Sequence, residues 1–148
     1  MAKATKAAAA KKPAAKLRKE FQTERFEKGL KVRRAVLGAE YVDNSVANAT
    51  DFMAPFQKMV TEFCWGDIWT RPGIDRKQRS MLNLAMLAAL NRPNELRLHL
   101  KGAINNGVTP EEMQEIFLAV CVYAGVPAGL DAFKIAQDVL KAEAAAKA

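Results

Sequence analysis

A chain of 148 residues, half of them apolar, is long enough to bury one core and too apolar for a short disordered polymer. Seven of its 23 basic residues precede the first acid, Glu20, and the remaining 16 are matched by 16 Asp and Glu, so the net charge of +7 belongs to the N-terminal segment. That distribution argues against a basic nucleic-acid face on the body of the protein, and the apolar stretches are too short or too interrupted to span a bilayer.

Residues 1–19 are low-complexity Ala/Lys, expected to form a disordered or loosely helical basic tail. They do not read as a secretory signal, because no apolar run follows the charges. The expectation is a cytoplasmic protein with one domain over 20–142 and a short Ala/Lys tail at 143–148. From Phe21 a helical pattern sets Phe26, Leu30, Val32, Val36 and Leu37 near one face, and Gly38 suits the position just past its end. Tyr41–Thr50 is polar and reads as a loop with at most one helical turn. Phe52, Phe56, Met59, Val60 and Phe63 then recur at helical spacing, with Pro55 in the first turn. Gly66–Gly73, GDIWTRPG, marks a loop that leaves Trp65, Trp69 and Arg71 at or after a helix end.

Asp75 can cap the next helix, Arg76–Leu90, whose LNLAMLAAL stretch is apolar on every side and belongs inside the domain or between subunits. Pro93 opens a helix running to Asn106, which Gly107 closes. Thr109-Pro110-Glu111-Glu112 supplies an N-cap, a first-turn proline and a capping-box acid for a helix to about Tyr123. Gly125-Val126-Pro127 separates it from a last helix. No segment alternates with the strand period. The expectation is an all-α domain of about six helices.

His99 is the only histidine, so imidazole chemistry has one address. Glu95 stands four residues before it, on the same helical face, where a carboxylate can orient the ring and raise its pKa. A structural surface pair is the blander reading of the same spacing. Arg33, Arg34, Arg71, Arg79 and Arg97 could bind carboxylates through planar guanidinium forks, although spacing alone does not bring them together. Trp65 and Trp69 could wall a dry pocket, bury a helix end or bury a subunit contact. Cys64 and Cys121 are isolated in apolar surroundings and read as packing residues. No metal-ligand set, phosphate loop or nucleophile elbow is present.

Three stretches carry a resemblance: RFEKGLKVRRAVLG, PFQKMVTEFCWGDIWTRPG, and ELRLHLKGAINNGVTPEEMQE followed by YAGVPAG. Together they closely resemble the 4-carboxymuconolactone decarboxylase family, in unbroken order from about Arg25 to Leu140. The resemblance implies the helical fold shared with alkylhydroperoxidase D-like proteins, an obligate trimer or hexamer, and no cofactor. It also implies a small dicarboxylate lactone as substrate, decarboxylated in protocatechuate breakdown. Placed on the family's motifs, His99 is the expected proton donor or enolate partner and Glu95 its orienting carboxylate. Arg33, Arg71 and Arg79 are the expected carboxylate binders, and Trp69 a pocket wall. The thiol peroxidases of the wider superfamily carry cysteines seven and four residues before the histidine. Here those positions are Arg92 and Glu95, so a thiol–disulfide cycle has no redox centre. A non-catalytic helical binding protein is the remaining rival.

Overall fold

In the computed structural model residues 17–147 are described, and the expected disorder of the tail falls, for residues 1–16, outside them. The described residues form seven α-helices and no strand, so the chain is all-α. The body starts before residue 20. Arg18 pairs with Glu20 at 2.6 Å and with Asp51 at 2.5 Å, and Phe21, fully buried, stacks on Phe26 with ring centroids 4.7 Å apart.

Thr23 caps α1 (Glu24–Leu37) by accepting a hydrogen bond from the Phe26 amide. The inward face expected for this helix is the one buried, from Phe26 to Leu37. Gly38 adopts a φ of 89°, which a residue with a Cβ resists, and turns the chain directly into α2 (Ala39–Ala47). The polar stretch expected as a loop is therefore helical over most of its length. Val42 and Val46, one turn apart, are its buried residues. Two apolar side chains are enough once a neighbouring helix gives them a partner.

α3 (Ala54–Met59) does not stop at the expected GDI turn. It continues as a π-helical stretch over Val60–Ile68, which holds Trp65 inside the helix and leaves Trp69 as its C-cap. α4 (Arg76–Ala89) is capped by Asp75 as expected, in a capping box completed by Gln78, and α6 (Pro110–Tyr123) begins with the expected box between Thr109 and Glu112. α5 (Pro93–Asn105) lies between them in sequence. α7 (Val126–Lys147) is continuous into the C-terminal Ala/Lys segment.

The apolar side chains gather into two cores. One joins α1, α2, α3 and the π-helical stretch through Phe26, Val36, Val42, Trp65 and Trp69. The other joins α4 to α7 through Leu84, Leu100, Met113, Phe117 and Val139. α5 belongs to both: Leu96, Leu100 and Ala103 sit in the second, while Leu98 packs against the first. α4, expected to be covered on every side, buries Leu84 and Ala88 but leaves Leu82, Met86 and its C-cap Leu90 exposed in the single chain.

Candidate active site

α1 and the π-helical stretch approach closely because Gly29 has no side chain. A Cβ there would collide with the carbonyl oxygen of Thr61. Arg25 pairs with Asp67, and the Thr23 hydroxyl donates to Glu62 at 2.6 Å, which fixes the ends of the contact. The face of this segment turned inward is not the expected one. Phe52 is 89% exposed, and Phe56, Met59 and Phe63 are about half exposed, whereas Ala54, Gln57, Thr61 and Trp65 are buried. The reason is what lies opposite. Arg33 of α1 is 6% exposed, and its Nη1 donates to Gln57 Oε1 at 2.8 Å and to Thr61 Oγ1 at 3.1 Å. A buried guanidinium requires acceptors, so the polar side of the helix turns in and the aromatic side turns out.

The i→i+5 winding of the π-helical stretch, with the Trp69 amide bonded to the Cys64 carbonyl at 2.9 Å, stacks residues four and five apart. Trp65 and Trp69 are tilted against each other at 4.6 Å between ring centroids. Trp65 in turn lies parallel to the imidazole of His99, 6.2 Å away with 4° between planes. Trp69, the expected pocket wall, thus reaches His99 through Trp65. Of the two tryptophans it is Trp65 that stacks on the imidazole.

Burial against this apolar surface pulls the His99 pKa below its ordinary value, and the charge of Glu95 opposes that pull without reversing it. This corrects the expected sign. Glu95 is exposed, so water screens its charge. Burial likewise raises the Cys64 thiol, against the opposing pull of Arg33 and a hydrogen bond with Trp69. Cys64 and Cys121 are both free and half-buried, in keeping with their reading as packing residues.

The remaining arginines divide. Arg79 donates from Nη2 to the Arg71 carbonyl at 2.8 Å, fastening the loop after Trp69 to α4, and its Nε is buried without a partner. Arg71 itself is exposed. Arg34 pairs with Asp43 at 2.6 Å and Arg97 with Asp138 at 3.6 Å, so both already have a carboxylate. Gln57 and Thr61 escaped the sequence reading because the stronger apolar spacing of the same segment pointed the other way. Among the described residues no group of three or more His, Cys, Asp or Glu is placed to hold a metal ion. No helix of the described residues is long and apolar enough to cross a membrane.

Comparison with known proteins gives the family and the class of reaction. Residues 54–138, which carry Gln57, Thr61, both tryptophans and His99, match the model of the carboxymuconolactone decarboxylase family. The chain is 48% identical over 115 residues to the nitrosuccinic acid decarboxylase npaB of Metarhizium robertsii, covering 78% of this chain and 80% of that protein. It is 44% identical over 118 residues to the 4-carboxymuconolactone decarboxylase of Acinetobacter baylyi, covering 80% of this chain and 88% of that one. With the family's fold intact and decarboxylases matched through most of their length, the chain belongs to the carboxymuconolactone decarboxylase family and is a carboxy-lyase.

Proposed function

We propose that this carboxy-lyase removes CO₂ from γ-carboxymuconolactone, giving the β-ketoadipate enol-lactone of protocatechuate breakdown, without a cofactor. The observation that supports this reading is the likeness to the Acinetobacter enzyme, which runs through nearly that protein's whole length. The chemistry suits the residues. The departing carboxylate sits on a carbon vinylogous to the lactone carbonyl, so the ring itself accepts the electron pair. What the protein must add is a dry site, a seat for each carboxylate and a proton for carbon.

In this reading His99, neutral at rest because of its burial, takes up a proton when the dianionic substrate binds beside it and delivers that proton to the dienolate. Glu95 biases the ring through its charge. Trp65 and Trp69 keep water away, and Arg33, Arg71 and Arg79 are the guanidinium groups for the carboxylates. The working form is a homo-oligomer, a trimer or hexamer, which would cover the exposed aromatic face of α3.

The likeness to the nitrosuccinic acid decarboxylase favours a second substrate of the same design. Nitrosuccinate and γ-carboxymuconolactone both carry, on one carbon, the leaving carboxylate, an acetate arm and an electron sink. Steady-state assays of the purified chain on each acid, with chelator present, decide between them. The lactone should be preferred in kcat/KM by at least about a hundredfold, a discrimination of about 2.7 kcal/mol or more. A preference for nitrosuccinate would replace the first reading with the second.

A further inference from the structure

Arg33 is buried, yet no carboxylate faces it. Every Asp and Glu of the chain lies between Glu20 and Glu143, and among the described residues the ion pairs engage other cations. Its partners are neutral: the Gln57 amide oxygen and the Thr61 hydroxyl, both on Nη1. These partners are themselves buried, and Gln57 is fixed in turn by donating from Nε2 to Ser45 Oγ at 3.1 Å. Nε is sealed from water without a partner, and no hydrogen bond from Nη2 is found among the described residues. The Nε–Nη2 edge is a fork that takes a carboxylate through two parallel hydrogen bonds. A guanidinium held in a dry interior without a counter-ion is strongly unfavourable, and burial accordingly weakens Arg33's hold on its proton. An amide stands where a carboxylate of nearly the same shape would have removed that penalty.

We propose that Gln57 and Thr61 are positioning residues that keep Arg33 without an internal counter-ion, so that its Nε–Nη2 edge is the seat for one carboxylate of the substrate. The arriving carboxylate satisfies the unpartnered Nε and supplies the missing charge. The nearest groove along α1, of about 500 Å³ between α5 and the α1–α2 corner, is lined by Leu37, Glu40, Tyr41, Arg97, Leu98 and Lys101, and Leu37 stands one helical turn beyond Arg33. Leu98, which lines it, adjoins His99 in sequence. This inference rests on the reading above that the substrate is a dicarboxylate.

Gln57→Glu is the decisive variant, because it places a carboxylate against Nη1 without changing the size of the side chain, and the Ser45 hydroxyl can reverse to donate to it. The full chain, Gln57→Glu and Thr61→Val are compared by thermal unfolding with and without succinate as the probe, and by steady-state kinetics on whichever acid the wild type turns over. Gln57→Glu should melt no lower than the wild type, while its KM rises at least about tenfold and kcat stays within about threefold. Succinate should raise the melting temperature of the wild type and leave that of Gln57→Glu unmoved. Thr61→Val should raise KM about threefold through a loosened guanidinium. An unchanged KM in Gln57→Glu would make Arg33 a structural cation and overturn the proposal, as would an equal response to succinate in both proteins. Should the wild type turn over neither acid, the substrate reading falls, and the succinate comparison still decides the seat.

Discussion

His99 combines two conditions that oppose each other in the resting protein. In the proposed reaction it exchanges a proton, and it is packed against an indole that disfavours its charged form. Because its folded pKa lies below the unfolded value of 6.5, both states are neutral above that pH and no penalty arises. As pH falls below it, the unfolded chain takes up a proton that the folded chain resists, and stability declines. His99→Gln should therefore flatten the fall in melting temperature between about pH 7 and pH 5.5, and lower turnover by at least about a hundredfold with the helical signal intact. Near-normal turnover in that variant would end the proton-donor role. His99 was legible as the sole imidazole. The sign of its shift was not, because the sequence displays Glu95 four residues away and hides the indole, which the π-helical stretch brings in from another segment.

At the scale of elements, the caps were the most legible features. Asp75 with Gln78 and Thr109 with Glu112 are local reciprocal bonds that need no tertiary partner. α2 was not legible, since only Val42 and Val46 mark its buried side. Nor was the orientation of α3, where five apolar residues at helical spacing outvoted Gln57 and Thr61 until Arg33 supplied the reason for the opposite face. The approach that brings Arg33 to them depends on Gly29. Gly29→Ala should cost about 2 kcal/mol in urea unfolding, as overpacking of a closed interface does, and should raise KM along with it. A variant as stable as the wild type would show that α1 can slide off Thr61 freely, and would remove the close contact as the organiser of the site.

For the molecule as a whole, the all-α class followed directly from the absence of strand periodicity. What a single chain could not disclose is which apolar residues wait for a partner. Phe56 and Met59 on α3, with Phe52 before it and Phe63 on the π-helical stretch, form one exposed apolar group, and Leu82 and Met86 on α4, with Leu90 at its end and Leu118 and Val122 on α6, form another. Groups of this kind on a small protein mark contact surfaces. Light scattering on the eluting protein should return a trimer or hexamer for the wild type and a smaller species for Phe56→Asp, whose fold is unaffected because that side chain is half exposed. A monomeric wild type would leave the homo-oligomer without support.

The position of α5, with one side in each core, has a consequence for how this enzyme fails. The imidazole rides on a helix anchored mainly among α4–α7, and the indole and guanidinium ride on helices anchored in the other half. A slip of one half against the other by a fraction of a side-chain width would part acid from cation while each half kept its helices. On that geometry, activity is expected to fail on warming by misalignment, before the helices melt.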